Sequence, residues 1–225
     1  MLTLITPTGD RHEAFKRCQE LMRRQHWDFP VHWIIIDDGV KTQNVDFKRD
    51  GWHLTIIRLL PDIDHNTQQR NLLEGLNEVA DDARLILIED DDYYDPQYLD
   101  VCNARLDRFD LVGERVARYY NIASKRWKLF AENRHSSLCA TAMKGKALQH
   151  FKNMLLEHAT LIDMKLWQTF VGPKYLFDQS YVVGIKGMEG RKGIGIGHQP
   201  TFGDPDRTCV LERWLGRDAA LYQSR

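Results

Sequence analysis

The 225-residue chain has few cysteines, no long apolar run and almost no net charge, and each shortage removes a class of protein. Cys18, Cys102, Cys139 and Cys209 are scattered, and no two approach a metal-ligand spacing such as Cys-x-x-Cys. They read as reduced thiols of a cytoplasmic protein. The longest apolar runs, such as Trp33-Ile34-Ile35-Ile36, have strand length and fall far short of a membrane span. The opening MLTLITPTGDRHEAF lacks a basic stretch followed by an apolar one, so no signal peptide is expected. A formal charge of −1 provides no global field for nucleic acid or an anionic membrane, although a local patch would suffice. There is no internal repeat. Neither Gly-x-Gly-x-x-Gly nor a P-loop is present.

What remains is an ordinary soluble composition, 43% hydrophobic and 28% charged, at a length suited to one domain over residues 1–225. Apolar β-branched runs at 2–6, 31–36, 54–60 and 85–88 predict strands. Between them, helical spacing predicts helices over 11–25, with Phe15, Cys18, Leu21 and Met22 on one face, and over 67–80, with Leu72, Leu73, Leu76 and Val79. Strands alternating with helices predict βαβ units and a parallel sheet covered on both faces. Ligands then sit beyond the carboxyl ends of the strands. Three of the four strands end in polar chemistry: Thr6-Pro7-Thr8-Gly9, Asp37-Asp38-Gly39 and Glu89-Asp90-Asp91-Asp92. The second half differs. Helices are expected over 96–107, 145–157, 161–170 and 210–222, and strands over 111–120, 127–131, 136–143 and 181–185.

Four consecutive acids directly after a buried strand repel one another unless a cation offsets them. A hard divalent ion with oxygen ligands, its shell completed by a diphosphate, is the natural partner, and a solvated acidic turn is the alternative. The segment Leu87-Ile88-Glu89-Asp90-Asp91-Asp92-Tyr93-Tyr94-Asp95-Pro96-Gln97-Tyr98-Leu99 resembles the DxD region of GT-A glycosyltransferases, particularly family 2. Glu89-x-Asp91 and Asp90-x-Asp92 are both available frames. The resemblance implies that the early acid, Glu89 or Asp90, meets the ribose or the metal, or is held as support. Asp91 and Asp92 would hold Mn²⁺ or Mg²⁺ at the diphosphate of a nucleotide-sugar. Leu4-Ile5-Thr6-Pro7-Thr8-Gly9-Asp10-Arg11 resembles the family's first strand and nucleotide loop. Ile35-Ile36-Asp37-Asp38-Gly39 resembles the strand end that meets the nucleobase, and Arg70-Asn71 the pair lining the nucleotide pocket. The resemblance covers about the first 110 residues and implies a GT-A fold, with a nucleotide-sugar half over 1–110 and a mixed acceptor half over 111–225. Each piece alone is equally a turn or a solvated helix face; the case rests on their order.

An inverting transfer needs a base beside the attacking hydroxyl, usually a carboxylate. His158-Ala159-Thr160-Leu161-Ile162-Asp163-Met164-Lys165-Leu166-Trp167 resembles the family's base segment with Asp163 as base, although Ile162 stands where Glu is usual. Asp163 is equally an acid in the first turn of a helix, which the helix dipole favours. Residues 184–197 hold six of the chain's fifteen glycines, interleaved with Lys186, Arg191 and Lys192 and followed by His198. Such a backbone can approach a ligand closely, and its cations can neutralise a leaving diphosphate. By resemblance His198 is a third metal ligand; a flexible surface loop with solvated charges and an ordinary histidine is the alternative. The expected acceptor is a hydroxyl of a glycan or lipid-linked sugar, or of a hydroxymethylated base in phage DNA, for which Arg134, Lys144, Lys146 and Lys152 offer a basic patch. The expected setting is the cytoplasm of a bacterial or phage-infected cell. A metal-dependent nucleotidyltransferase and a non-catalytic nucleotide-sugar-binding module are the competing readings.

Overall fold

The computed structural model describes residues 1–131, 134–157, 160–191, 193 and 195–223. In chain order the elements are β1 (Leu2–Thr8), α1 (His12–Arg23), β2 (Val31–Asp37), β3 (Trp52–Arg58), α2 (Gln68–Leu76), β4 (Arg84–Leu87), β5 (Tyr93–Tyr94) and α3 (Tyr98–Leu106). There follow β6 (Leu111–Glu114), β7 (Val116–Asn121), β8 (Arg126–Ala131), β9 (Thr141–Lys144), α4 (Gly145–Glu157), α5 (Ile162–Thr169), β10 (Lys174–Phe177), β11 (Val182–Lys186), β12 (Asp204–Pro205) and α6 (Val210–Leu215).

Among the described residues the larger sheet has seven strands in the order β10-β6-β9-β4-β1-β2-β3. It is parallel except for β9, which runs antiparallel to both its neighbours. β1 lies between β4 and β2, and its register pairs Thr8 with Asp37 and Ile5 with Leu87, which aligns the strand ends that carry the polar sequences. Alternate residues of one strand feed opposite cores, as the two-residue period of a strand requires. Trp33 and Ile35 pack with Phe15, Cys18, Tyr94 and Tyr98, whereas Ile34 and Ile36 pack with Leu72, Leu76, Phe151 and Trp167. A strand covered on both faces reads as a continuous apolar run, which is why β2 was legible as one. The second sheet has the order β12-β8-β7-β11-β5, and it faces the same side as α1 and α3.

The α/β architecture is the expected one, with local differences that have physical causes. The stretch 111–120, expected as one strand, forms two strands in two sheets, broken at Arg115, whose N–H donates to Phe177 O at 2.8 Å and whose Nε donates to Asp178 Oδ1 at 2.7 Å. Beside the break, Glu114 is buried, and its Oε1 accepts from the N–H groups of Tyr181 and Val182, where β11 begins. Burial pushes the Glu114 carboxyl up to about 8 against those two bonds. Residues 136–143 are a 3₁₀ turn, Leu138–Ala140, followed by the short β9. The helix expected over 210–222 stops at Leu215, because Gly216 takes φ +58° and a 3₁₀ turn follows. β5 and β10 were not expected; each is too short to carry a periodic signal.

β3 is an edge strand with alternating partial exposure, and Ile56 on it is 52% exposed while Ile34 is fully buried. Ile34→Ala should therefore cost about 2–5 kcal/mol, and Ile56→Ala at most about 1 kcal/mol. Urea unfolding of the two variants checks this.

Candidate functional site: an acidic crevice at the strand ends

The turn after β4 is folded against the end of β1. Thr8 Oγ1 donates to Asp90 Oδ2 at 2.6 Å, and Arg11 Nη1 donates to Asp90 Oδ1 at 2.8 Å. The same guanidinium lies 3.4 Å from Asp91 Oδ2. Arg11 comes from the residue preceding α1, so the first strand–helix connection supplies both a hydroxyl and a cation to the acids. From the other end of the chain, β11 delivers Lys186. Its Nζ is 2.9 Å from Asp92 Oδ1, 3.5 Å from Asp91 Oδ2 and 3.7 Å from Glu89 Oε2. Asp92 Oδ1 also accepts the N–H of Ile185 at 2.9 Å.

Four carboxylates thus face two cations inside the protein. Burial raises Glu89, Asp90 and Asp92 above the ordinary carboxylate range, against Lys186 for Glu89 and Asp92 and against Arg11 for Asp90. Asp91 differs. Burial again opposes its ionisation, but Lys186, Arg11 and His198 outweigh it and hold Asp91 below the usual value. Burial disfavours the Lys186 ammonium, yet Asp91, Asp92 and Glu89 together raise it well above an ordinary lysine. Two buried oxygens, Asp91 Oδ1 and Asp92 Oδ2, have no hydrogen-bond partner among the described residues. A surplus of carboxylates over cations together with orphaned oxygens fits a divalent ion. One ligand atom each from Glu89, Asp92 and Cys139 lie within 4.8 Å of one another. His198 acts on Asp91 electrostatically.

Asp38 is the second focus. It receives Arg70 Nη2 at 3.1 Å and Arg191 Nη1 at 3.1 Å. Arg191 also donates to the carbonyls of Asp62 and His65 and to Thr67 Oγ1, and its own carbonyl accepts Arg11 Nε at 2.7 Å. Arg191 therefore ties the start of the glycine-rich segment's second half to Asp38 and to the stretch 62–67. Gly190 is required for that path: with φ +109°, any Cβ there would stand 2.2 Å from Asp10 O. Gly9 lies against Asp38, and a Cβ at that position would meet Asp38 Oδ1 at 2.3 Å.

The surroundings of the other expected residues are as follows. Thr6 is fully buried, and its Oγ1 accepts Trp33 Nε1 at 2.9 Å, so its side chain belongs to the core. Pro7, the residue between Thr6 and Thr8, continues β1 in register with Ile36. Asp37 is engaged by Gly39 N, Gln43 N and Arg58 Nη1 and organises the turn after β2. Asp163 sits in the first turn of α5, where its Oδ1 accepts the N–H of Met164 at 2.8 Å. Lys152 is bound to Val79 O and Asp81 Oδ1. Lys192, and His158 and Ala159 of the base segment, lie outside the described residues. Sequence reasoning missed Cys139 altogether. It reaches the acids on the 3₁₀ turn before β9, and no pattern of spacing announces it.

No family model and no curated protein matches the chain. Solved structures do. S. aureus TarS superposes with a TM-score of 0.56 at 10% identity, over 82% of this chain and 36% of that one. S. aureus TarS 1–349 in complex with UDP-GlcNAc gives 0.55 at 12% identity, over 82% of this chain and 58% of that one. The same fragment with UDP gives 0.54 at 11% identity, over 82% and 60%. The chain thus spans between about a third and three fifths of the structures it resembles. The fold is GT-A-like, with a mostly parallel central sheet and a second mixed sheet, as the sequence led us to expect.

Among the described residues, removing Arg191 leaves the Asp38 carboxylate with Arg70 alone and removes the tie to residues 62–67. Arg191→Ala should cost about 1–3 kcal/mol, read as a lower urea midpoint, with faster proteolysis at residues 186–199. Arg191→Lys should restore little, because an ammonium cannot reproduce the forked contacts.

Proposed function

We propose that the chain is a glycosyltransferase that moves a sugar from a nucleotide-sugar, of the UDP class, to a hydroxyl acceptor. The observation carrying this reading is the meeting of Thr8, Arg11, Asp38 and the acids 89–92 at one edge of a GT-A-like sheet. The complexes of TarS 1–349 with UDP and UDP-GlcNAc support the choice of donor. The donor half is taken as residues 1–110 and the acceptor half as 111–225.

In this reading Asp38 and Arg70 address the base and ribose, and Glu89 or Asp90 the ribose hydroxyls. Thr8 and Gly9 let the nucleotide approach the end of β1. Arg11, Lys186, Arg191 and Lys192 neutralise the diphosphate as it leaves. Asp91 and Asp92, with His198, would hold Mn²⁺ or Mg²⁺; such an ion supplies charge neutralisation at the diphosphate when bound. The unpartnered Asp91 Oδ1 is the atom that most favours this. Asp163 is assigned as the general base of an inverting transfer, taking the proton of the acceptor hydroxyl. Among the described residues no helix is long and apolar enough to cross a membrane.

A panel of sugar nucleotides with Mn²⁺ tests the reading: a UDP-sugar should be bound and turned over. Failure of every member to bind would refute it. For the base, Asp163→Asn should lower kcat about 10²–10⁴-fold while leaving the donor Kd unchanged. Near-normal turnover would remove Asp163 from the mechanism.

A further inference from the structure

Glu114 takes no part in the crevice, yet it stands where the chain passes from the larger sheet to the smaller one. It ends β6, and β7 begins at Val116 in the other sheet. Glu114 is 2% exposed. Its Oε1 accepts the N–H of Tyr181 at 2.7 Å and that of Val182 at 3.1 Å. Its Oε2 is buried without a hydrogen-bond partner among the described residues, and no cation there forms an ion pair with it. An unpaired hydroxyl at that depth costs far less than an unpaired charge, so the neutral acid fits this pocket and the carboxylate does not. The two amides it holds are themselves connectors. Tyr181 O accepts the N–H of Asp95 at 2.8 Å, and Val182 and Val183 pair with Tyr94 and Tyr93. One carboxyl thus fastens the start of the strand that closes over the acid turn and goes on to deliver Lys186 to Asp92.

The charged and titratable groups around Glu114 are committed elsewhere. From α3 come Tyr98, Cys102 and Arg105, and from β7 comes Arg118. Burial raises Tyr98 and Cys102, which keeps both protonated. Arg105 lies over the Phe177 ring at 4.2 Å and donates to Val101 O and Gln179 Oε1. Arg118 lies over the Trp214 ring. Arg115, the next residue, is paired with Asp178. On β10, Lys174 is bound to Trp167 O and Phe170 O. On β9, Lys144 stands at the opposite end from Thr141, which faces Gly113. On β11, Lys186 is held by the acids.

We propose that Glu114 is a pH-sensitive joint between the two sheets, closed while its carboxyl is neutral and releasing the start of β11 when it ionises. The proton passes to solvent. The carboxylate left behind has no cation to meet it, so it gains hydration only when the stretch 178–182 lifts away. Burial raises this carboxyl in the folded chain, so the folded chain keeps the proton through a range in which the unfolded chain has lost it. The stabilisation is therefore complete at acid pH, is lost as pH rises from the ordinary carboxylate range through about 8, and is level above that. None of this depends on what the crevice binds.

Glu114→Gln keeps the shape and the oxygen that accepts from Tyr181 and Val182 but cannot ionise, so it separates the proton from the packing. Urea unfolding of the full chain and of this variant is compared from about pH 5 to about pH 9. Relative to the variant, the unfolding constant of the unsubstituted chain should rise by about a hundredfold or more across that range. Parallel pH profiles overturn the proposal. The second measurement is amide exchange at Asp95, Tyr181 and Val182, corrected for the intrinsic dependence of exchange on pH. Their protection should fall by about tenfold or more between about pH 7 and about pH 9 in the unsubstituted chain, and stay level in Glu114→Gln. Protection that stays level in the unsubstituted chain, or falls equally in the variant, overturns the proposal. The first of these outcomes is read without any substitution, so the proposal can fail even where Glu114→Gln does not fold.

Discussion

The charge balance at the end of β4 organises this molecule. Carboxylates on four consecutive residues follow a strand buried on both faces, and three of them are almost wholly removed from water. Uncompensated charge at that depth would destabilise the fold by several kcal/mol per ion. The compensation comes from distant parts of the chain: Arg11 from the first strand–helix connection and Lys186 from the penultimate strand. The acids therefore tie the N-terminal βαβ units to the second sheet. Lys186 is the more exacting partner, because it meets three of the acids while itself buried.

The glycine-rich segment follows from that tie. Once β11 has delivered Lys186, the chain must recross the crevice, and Arg191 fastens it to Asp38 on the opposite lip. Both acid groups assigned to the donor are thus met by cations from one stretch of chain. Under the proposed function, a nucleotide at this site would exchange partners with Lys186 and Arg191 rather than meet bare carboxylates, and its diphosphate would take over the cations that the acids hold, as a departing nucleoside diphosphate requires.

Much of the first half was legible because its strands are continuous apolar runs and its polar residues sit at their ends. Thr8, Asp38 and Asp90 group together on sequence alone, since a parallel sheet brings its carboxyl ends together. Thr6 groups with them by the same logic, but strand alternation turns its side chain toward Trp33. Sequence order placed it at the strand end without fixing which face it took. In the second half the stretch 111–120 hid a change of sheet at Arg115, because strand-forming residues, Leu111 and Val112 before it and Val116, Tyr119 and Tyr120 after it, stand on both sides of the break. Cys139 was invisible for a different reason. Its meeting with Glu89 and Asp92 depends on a 3₁₀ turn and on tertiary packing of α5, and neither leaves a periodic trace.

The central claim is that one crevice, built from three strand ends and the C-terminal strap, receives the nucleotide. Amide hydrogen exchange in the presence and absence of saturating UDP tests it directly. Exchange should slow together at residues 8–11, 37–39, 89–92 and 186–191, segments far apart in sequence and adjacent at the site. UDP that binds while protecting other segments, such as the outer faces of α2 and α4, would contradict the account.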